Sequence, residues 1–401
     1  MRSPWCLALL LVVLHRTASA APAEPPLEAV ARELVGSDQG VFAQAEDGTV
    51  LASLNAGRAV HPASVTKVAT TLALLRRLGP GYRFETRLLG VGPIREGTLQ
   101  GDLVVQAGRD PMLVFENAFL LLRALRGLGI RRVTGELRVR GPLLFNWQPD
   151  PQGRRLRRAL EGLDGAGAWG ALSPVRLDAA GGLHDVALAF GGRHLRGAAG
   201  AGRPLLVHRS PPLQRILKAL NCYSNNVFHL VSQQIGGPAV VERIARASVP
   251  SEMGSEITID NAAGAGTTNR LSPRATVALL RALERELEPG ALSLVDVLPV
   301  AGVDPGTLRL RLEGTTDRAA VVGKTGTFGS VGASALAGVV RTRRYGHVTF
   351  AVLNRGLPVL EAQHRQDAFV RALLDASEPL AWPYRAGATA AFEEAQVEAG
   401  G

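Results

Sequence analysis

Lysine and cysteine are both scarce in this chain of 401 residues. Of its 45 basic residues, arginine supplies 42 and lysine only three, Lys67, Lys218 and Lys324. Of its two cysteines, Cys6 and Cys222, the first lies in a segment that we predict is removed on export. Only one cysteine would then remain, which excludes a disulfide within the chain. The folded protein must therefore depend on its apolar core for stability.

Aromatic residues and metal-binding motifs are also rare. Phe, Trp and Tyr make up 5% of the chain, and the basic residues behind its net charge of +10 are spread along it. Such a surface offers few stacking platforms, so nucleic-acid binding is disfavoured. The charge indicates a solvated, arginine-rich surface or attraction to an acidic polymer such as a cell wall. The histidines lack metal-ligand spacing, so we expect neither a metal nor a cofactor.

Residues 1–20 are typical of an export signal. Arg2 supplies a positive start, Cys6–Leu14 is an apolar stretch too short to cross a bilayer, and Ala18-Ser19-Ala20 is a cleavage site of small residues. No later stretch has about 18 uninterrupted apolar residues, the length that a membrane span needs. We therefore expect a periplasmic protein that begins near Ala21 after cleavage and has no stable membrane span.

The first part of the exported chain alternates helical and strand patterns. Apolar spacing predicts a first helix over Pro26–Leu34. An Asp-Gly pair lies between two alternating runs, Val41–Ala45 and Thr49–Leu54, which is the strongest short signal for a β-hairpin. A second helix is predicted over Val65–Leu78, with Ser64 in its first turn.

The middle and the end of the chain differ from its first part in composition and in apolar periodicity. Leu89–Leu206 combines strand patterns, such as Val133–Val139, with one helix and a stretch rich in glycine and alanine, which indicates an inserted segment. The following patterns predict helices Leu213–Ile235, Leu271–Leu287 and Val359–Ala376, and strands Ala319–Val322, Ala333–Arg341 and Val348–Leu353. Ser377–Gly401 has little periodicity and is predicted to be a loose tail.

Ser64-Val65-Thr66-Lys67 places a hydroxyl and an amine three positions apart, on one face of the predicted helix. Serine becomes a good nucleophile when a base takes its proton, and lysine can do so if burial or a nearby positive charge lowers its pKa. By itself the motif is more often a helix cap followed by a solvated lysine. The scarcity of lysine favours chemistry, because arginine stays protonated and cannot act as a base.

Two further short motifs combine with this one. Ser224-Asn225-Asn226 lies within a predicted helix, and Lys324-Thr325-Gly326-Thr327 lies at the edge of a predicted strand pair. The second motif is not the end of a phosphate-binding loop, because the first glycine of that loop would fall on Arg318. Each motif alone would be an ordinary turn. Lys218 belongs to no motif, and we expect it on the surface of its helix.

Ser-x-x-Lys, Ser-x-Asn and Lys-Thr-Gly occur here in the order of the serine penicillin-recognising enzymes. The chain resembles the class C low-molecular-mass penicillin-binding proteins, the D-alanyl-D-alanine carboxypeptidase/endopeptidase group, over most of Ser37–Ala376. The resemblance implies an α/β (α+β) fold, a serine β-lactamase/transpeptidase-like catalytic domain with an antiparallel sheet flanked by helices and an inserted accessory module. The expected boundaries are residues 21–88 and 207–376 for the catalytic domain, 89–206 for the accessory domain and 377–401 for the tail.

The resemblance implies catalytic roles for Ser64, Lys67 and Ser224. Ser64 would attack the carbonyl between two D-alanines, and Lys67 would be the base that takes its proton. Ser224 would bridge Lys67 and Lys324 and pass the proton to the leaving D-alanine. Water would then resolve the acyl-enzyme.

The resemblance also implies how the substrate is held. Asn226 would orient the peptide amide, and Lys324 and Thr325 would hold the terminal carboxylate. The backbone N–H of Thr327 would form the oxyanion hole together with that of the nucleophile. Gly326 would let the substrate approach the sheet edge closely.

Three functions follow from these observations. The first is an exported serine D-alanyl-D-alanine carboxypeptidase that acts on peptidoglycan stem peptides, with endopeptidase activity on cross-links left open and β-lactams as inhibitors. The second is a serine β-lactamase, which needs a water-activating residue that the sequence does not reveal. The third is a catalytically idle scaffold that binds the cell wall, which the intact motifs disfavour.

Overall fold

The computed structural model describes residues 26–168, 186–192, 202–314, 317–387 and 394–400. The predicted signal peptide and part of the stretch rich in glycine and alanine lie outside the described residues. Among the helices in these ranges, none is both long enough and apolar enough to cross a membrane.

The helices in the described ranges are α1 Leu27–Leu34, α2 Lys67–Leu78, α3 Phe115–Gly127, α4 Arg154–Leu160, α5 Leu213–Cys222, α6 Phe228–Ser232, α7 Pro238–Ala247, α8 Pro273–Leu287 and α9 Val359–Ser377. The strands are β1 Gly40–Gln44, β2 Val50–Leu54, β3 Glu85–Val91, β4 Ile94–Arg95, β5 Thr98–Leu99, β6 Asp102–Ala107, β7 Arg132–Val133, β8 Leu137–Arg140, β9 Leu144–Phe145, β10 Gln148–Pro149, β11 Ala189–Phe190, β12 Arg203–Arg209, β13 Val321–Phe328, β14 Ala333–Thr342, β15 Gly346–Arg355, β16 Pro379–Leu380 and β17 Gln396–Ala399.

The larger sheet has six antiparallel strands in the order β13-β14-β15-β1-β2, with β16 paired to β14. Side chains alternate between its two faces, as the pleat requires. In β14, Ala335, Ala337 and Val339 pack into the core that includes α2 and α8, whereas Leu336 and Val340 pack into the core that includes α1 and α9. Helices therefore flank this antiparallel sheet on both faces, which confirms the predicted fold class.

A second, mixed sheet has five strands in the order β17-β12-β3-β6-β8, and the short strands form a four-stranded sheet, β11-β7-β5-β4, and a two-stranded one, β10-β9. Leu88, Val105 and Leu206 lie in a separate core with residues of α3 and α4. Where residues 89–206 are described, they contribute no strand to the six-stranded sheet. Strands β3 and β12 extend a few residues beyond that range at either end. The division of the chain into a catalytic and an accessory domain stays a prediction.

The C-terminal segment is packed, so the prediction of a loose tail is wrong for its described parts. Strand β16 pairs with β14 just beyond the position where the first residue of β13 pairs with it, and β17 pairs along the free side of β12. Trp382 is buried, and its backbone N–H donates to the Ala319 carbonyl oxygen at 2.8 Å. The segment thus satisfies backbone groups that the sheets would otherwise leave unpaired. Such pairing depends on distant partners and leaves no local periodicity.

Two predicted runs are broken in the structure. The helix expected over Leu213–Ile235 is divided into α5 and α6, because Ser224 has a left-handed backbone with a φ of 53° that no right-handed helix accepts. The strand expected over Val133–Val139 is divided into β7 and β8. The first break places Ser224 and Asn226 in a turn between helices, where residues of other elements reach their side chains.

Candidate active site

Ser64 lies in a short 3₁₀ turn, Ala63–Thr66, that leads directly into α2. The helix expected from Val65 therefore starts with a tighter turn, and Lys67 is its first α-helical residue. This arrangement places the Lys67 Nζ 2.8 Å from the Ser64 Oγ. The serine hydroxyl thus has an amine within hydrogen-bonding distance.

Lys67 is completely buried. Besides its bond to the serine, its amine donates to the Ala263 carbonyl oxygen at 2.6 Å and to the Asn226 Oδ1 at 3.2 Å. Burial, and then the positive charge of Lys324, lower the pKa of Lys67 well below its ordinary value. The structure therefore supplies both of the conditions under which a lysine can accept a proton near neutral pH.

Lys324 forms a second serine–lysine pair with Ser224. Its Nζ donates to the Ser224 Oγ at 2.9 Å and to the Thr325 carbonyl oxygen at 2.9 Å. Lys324 is fully buried, and this burial lowers its pKa to about 7. An anion that bound beside this amine would favour its charged form.

The Lys-Thr-Gly-Thr segment belongs to β13, the outer strand of the larger sheet. On the side away from β14, the Gly323 N–H donates to the Pro299 carbonyl oxygen at 3.0 Å. In an antiparallel strand every second residue turns its N–H and C=O groups to the same side. The backbone groups of Thr325 and Thr327 therefore face outward, where an extended ligand could pair with them.

Gly326 makes a different close contact from the one that the resemblance implies. A Cβ at this position would lie 2.5 Å from the Pro62 carbonyl oxygen and 3.2 Å from the Ser64 backbone nitrogen. The chain that enters the serine turn thus fills the space beside the glycine. The missing side chain brings the N–H of Ser64 next to the strand that carries Thr327.

His61 supports the serine turn, although none of the three motifs includes it. Its Nδ1 accepts a hydrogen bond from the Ala63 N–H at 3.1 Å, and its Nε2 donates to the Gly266 carbonyl oxygen at 2.7 Å. Ala63 has a φ of 47°, which few non-glycine residues adopt without support from their surroundings. Burial lowers the pKa of His61, which favours the neutral ring that can accept this bond. Its position three residues before Ser64 is the only sequence signal for this role.

A network of side-chain amides holds the loop that presents the Ala263 carbonyl to Lys67. The Asn261 Oδ1 accepts from the Ala263 N–H at 2.9 Å. The Asn269 Nδ2 donates to the Asn261 carbonyl oxygen at 2.8 Å and to the Thr66 Oγ1 at 3.1 Å. This network ties the loop to the serine turn, so the environment of the Lys67 amine is built from both.

Thr307 is a neighbour of Thr325 for which the sequence predicted no role. The Thr325 Oγ1 donates to the Thr307 Oγ1 at 2.7 Å, and the Thr307 N–H donates to the Cys222 carbonyl oxygen at 2.9 Å. A Cβ on Gly306 would lie 2.0 Å from that carbonyl oxygen, and its φ is 98°, so a glycine is needed for this approach. Thr307 thereby links Thr325 to the end of α5, just before Ser224.

Lys218 is buried, so the expectation of a solvated surface lysine is wrong. Its side chain is 9% exposed, and its Nζ donates to the Asp304 Oδ2 at 2.5 Å and to the Leu298 carbonyl oxygen at 2.6 Å. The sequence around Lys218 gives no sign of this, because the covering residues come from a distant segment. All three lysines of the chain are therefore buried and hydrogen-bonded.

Cys222, the cysteine in the described residues, adds no second nucleophile. Cys222 is buried, and burial raises the pKa of its thiol to about 12. The thiol therefore stays protonated near neutral pH, and a protonated thiol reacts poorly. Across the ranges that the structure describes, no cluster of three or more His, Cys, Asp or Glu side chains could hold a metal ion.

Comparison with known sequences identifies a family. The sequence model of the D-Ala-D-Ala carboxypeptidase 3 (S13) family matches residues 27–143 and 192–375. The D-alanyl-D-alanine carboxypeptidase DacB of Haemophilus influenzae is 34% identical over 103 residues, which are 25% of this chain and 22% of that protein. This second match therefore spans less than a quarter of the length of the relative.

Comparison with solved structures identifies the same fold. A predatory endopeptidase of Bdellovibrio bacteriovorus, in complex with an immunity protein, has a TM-score of 0.69 at 22% identity, covering 86% of this chain and 95% of its own. Penicillin-binding protein 4 (dacB) of H. influenzae has a TM-score of 0.63 at 21% identity, covering 87% and 98%. A penicillin G acylated form of another Bdellovibrio endopeptidase has a TM-score of 0.69 at 21% identity, covering 88% and 96%.

The family match includes all three motifs. Its first segment contains Ser64 and Lys67, and its second contains Ser224, Asn226 and Lys324. The structure gathers these residues around the outer strand of the larger sheet, through the contacts described above. The resemblance inferred from the motifs is confirmed at the level of the family: the chain belongs to the D-Ala-D-Ala carboxypeptidase 3 (S13) family.

Proposed function

We propose that the protein is an exported serine D-alanyl-D-alanine carboxypeptidase that trims peptidoglycan stem peptides through an acyl-enzyme and is acylated by β-lactams. The observation that carries this proposal is the 2.8 Å contact between the Ser64 Oγ and the amine of the fully buried Lys67. Membership of the S13 family supports the same activity. The penicillin G acylated structure of a protein with this fold supports acylation by β-lactams.

Ser64 is the nucleophile and Lys67 is the general base. The Lys67 Nζ takes the hydroxyl proton as the Ser64 Oγ bonds to the carbonyl carbon between the two D-alanines. The backbone N–H groups of Ser64 and Thr327 hold the resulting oxyanion. One N–H comes from the serine turn and the other from β13, and the close approach at Gly326 keeps these two elements together.

Ser224 completes the proton transfer. It gives its hydroxyl proton to the amine of the terminal D-alanine as the C–N bond breaks, and it regains a proton from Lys67. Lys324, which donates to the Ser224 Oγ, keeps that hydroxyl in place. Water then attacks the ester on Ser64, which releases the shortened peptide and restores the free serine.

The substrate is held by its terminal carboxylate and by its backbone. The Lys324 amine and the Thr325 hydroxyl bind the carboxylate, and an ammonium and a hydroxyl are suitable donors to such an anion. The Thr325 hydroxyl donates to Thr307 in the free protein and would turn to the carboxylate on binding. The Asn226 Oδ1 continues to accept from the Lys67 amine, and the Nδ2 group of the same side chain orients the peptide amide of the substrate.

Export to the periplasm is part of the proposal. It is supported by the export pattern of residues 1–20 and by the location of peptidoglycan outside the cytoplasmic membrane. N-terminal sequencing of protein recovered from the periplasm should give a chain that starts near Ala21. Recovery of the uncleaved chain from the cytoplasm would contradict this part of the proposal.

Intact mass spectrometry with benzylpenicillin tests the nucleophile. We expect one penicilloyl adduct on Ser64, no adduct on a Ser64→Ala variant and a normal adduct on Ser53→Ala, a change at an exposed serine of β2. An adduct elsewhere, or none on the unmodified protein, would overturn the mechanism. Rapid loss of the adduct would identify a β-lactamase instead.

Purified muropeptides test the reaction itself. Release of free D-alanine from pentapeptides is the expected result, and cleavage of cross-linked dimers would add endopeptidase activity. A protein that forms the adduct with penicillin but releases neither product would not be the peptidase proposed here.

A further inference from the structure

A buried cluster outside the three motifs joins Lys218, Asp304 and Tyr384. The Asp304 Oδ2 accepts from the Lys218 Nζ at 2.5 Å and from the Val300 N–H at 2.7 Å, and its Oδ1 accepts from the Tyr384 hydroxyl at 2.8 Å. The Tyr384 ring also lies over the Lys218 Nζ, 4.5 Å from the ring centroid. Both oxygens of the carboxylate therefore have donors, as a buried charge requires.

The three members of the cluster come from three separate parts of the chain. Lys218 lies on α5, the helix that ends just before Ser224. Asp304 lies three residues before Thr307. Tyr384 lies in the packed C-terminal segment, beyond residue 375, the last that the family model matches. The cluster thus connects α5, which precedes Ser224, to the loop whose Thr307 contacts Thr325.

We propose that Tyr384 is a positioning residue for the carboxylate-binding side of the active site. It acts through Asp304, whose loop sets Thr307 against Thr325 and against the end of α5. This inference rests on the proposed function, because the group that it helps to bind is the carboxylate of a D-alanyl-D-alanine peptide or a β-lactam.

Loss of the Tyr384 hydroxyl should change the carboxylate-binding side of the active site and leave the nucleophile in place. The Asp304 Oδ1 would stay buried without its donor, and a buried anion in that state draws in water or shifts toward another donor. The loop would carry Thr307, and with it the hydroxyl of Thr325, away from its present position. Ser64 and Lys67 lie in a different element, so their 2.8 Å contact should persist.

The test compares Tyr384→Phe with Tyr345→Phe in the full exported protein. Tyr345 lies in the turn between β14 and β15, at the opposite end of β14 from the residues that pair with Thr325 and Thr327. Stopped-flow acylation by benzylpenicillin over a range of concentrations gives two quantities, the dissociation constant of the first complex and the limiting rate of acylation. Thermal melting of each variant checks that it is folded.

We expect Tyr384→Phe to raise the dissociation constant by roughly fivefold to tenfold and to change the limiting rate by less than about twofold, because carboxylate binding is weakened and the nucleophile is untouched. Tyr345→Phe should change neither. If the unmodified protein forms the Ser64 adduct but Tyr384→Phe changes the dissociation constant and the limiting rate in any other way, or changes neither, the role of Tyr384 is overturned. The proposed function would then still stand. No adduct on the unmodified protein would overturn the proposed function and this inference with it.

Discussion

The two largest sheets of the described residues differ in how the residues around them use positive charge. Around the six-stranded sheet, Lys67, Lys218 and Lys324 are all buried among carbonyl, hydroxyl or carboxylate oxygens. On the five-stranded sheet, arginines lie on a solvent-exposed face, and Arg87 and Arg209 both pair with Glu85. The three lysines thus lie inside the molecule, whereas Arg87 and Arg209 lie at its surface.

Desolvation explains why the two kinds of residue are not interchangeable here. Arginine keeps its proton in almost any surroundings. Its ion pair with a solvated carboxylate therefore changes the free energy of folding very little. A lysine ammonium that is taken out of water loses hydration, and its pKa falls unless an anion compensates. Burial lowers the pKa of both Lys67 and Lys324 in this way. Lys218 forms an ion pair with Asp304. A buried lysine with a lowered pKa can therefore exchange a proton near neutral pH, whereas a solvated arginine cannot.

Exchange of lysine for arginine should separate the roles most sharply. Lys67→Arg should slow acylation of Ser64 by about a hundredfold to ten-thousandfold, the usual contribution of a general base, because a guanidinium with a pKa above about 12 cannot take the serine proton. Lys324→Arg should slow it by only about tenfold, because arginine still pairs with a carboxylate. The rate of adduct formation with benzylpenicillin, followed by intact mass spectrometry, measures both.

The matched control for these variants lies on the other sheet. Arg87→Lys exchanges the same two residue types at a half-exposed position and should leave the acylation rate unchanged. Lys218→Arg cannot serve as this control, because its amine is buried against Asp304. Equal tolerance of arginine at Lys67 and Lys324, in variants with unchanged melting temperatures, would contradict the assignment of Lys67 as the base.

Glycine-to-alanine changes should have the next largest effect on acylation, and only beside the six-stranded sheet. Gly326→Ala would place a Cβ 2.5 Å from the Pro62 carbonyl oxygen, which must move the serine turn away from β13. Because the two N–H groups of the oxyanion hole would separate, acylation should fall by about a hundredfold. Gly127→Ala, at the end of α3, meets no atom within 4 Å and should leave acylation unchanged. A Gly326→Ala variant with the full acylation rate would show that this contact does not position the nucleophile.

Elements whose signals are local could be predicted from the sequence. The hairpin β1–β2 and the helix α8 end within two residues of their predicted bounds, because each depends on its own periodicity and end signals. Ser272, for example, caps α8 by accepting from the Ala275 N–H at 3.0 Å. The three motifs of the candidate active site could be found for the same reason, since each is short and contiguous.

Contacts between distant segments could not be predicted from local patterns. Lys218 and Asp304 are 86 positions apart, and His61 and the Gly266 carbonyl are 205 apart. Whether such a side chain is solvated or buried depends on which segment folds over it, and one sequence does not show that. The expectation of a surface Lys218 was wrong for this reason. The C-terminal segment with Tyr384 escaped prediction in the same way.

The acylation rate should fall at low pH because of Lys67 and at high pH because of Lys324. Lys67 must be neutral to accept a proton, so the second-order rate constant for benzylpenicillin should fall in acid, below its lowered pKa. Lys324 must be charged to attract the carboxylate, so the same constant should fall above about pH 7, by up to tenfold per pH unit.

Lys324→Arg tests which lysine sets the alkaline fall. Arginine keeps its charge throughout, so this variant should keep the acid fall and lose the alkaline one when measured between about pH 5 and pH 10. A constant that rises steadily to the top of this range in the unmodified protein would mean that the charge on Lys324 does not assist binding. An alkaline fall that survives in Lys324→Arg would assign it to another group.

The smallest effect is expected at the ion pairs of the five-stranded sheet. Hydrogen bonds from Arg87, and then from Arg209, hold the pKa of Glu85 below its ordinary value of 4.5. A carboxylate whose pKa is lowered by folding stabilises the folded state above its unfolded pKa, and this contribution is lost as the pH falls through the folded pKa. Because Glu85 and its partners are partly solvated, Glu85→Gln should lower the free energy of unfolding by only about 0–1 kcal/mol near neutral pH.

Urea unfolding of Glu85→Gln and the unmodified protein measures this difference. It should shrink as salt is added, because salt screens exposed charges, and it should vanish at a pH below the folded pKa of Glu85, where its carboxyl group carries no charge. A matched Asp304→Asn variant should lose more stability, because its carboxylate is buried and its lysine would keep an uncompensated charge. If Glu85→Gln lost as much as about 3 kcal/mol, the typical effect of breaking a buried pair, the contrast between an exposed arginine region and a buried lysine region would no longer hold.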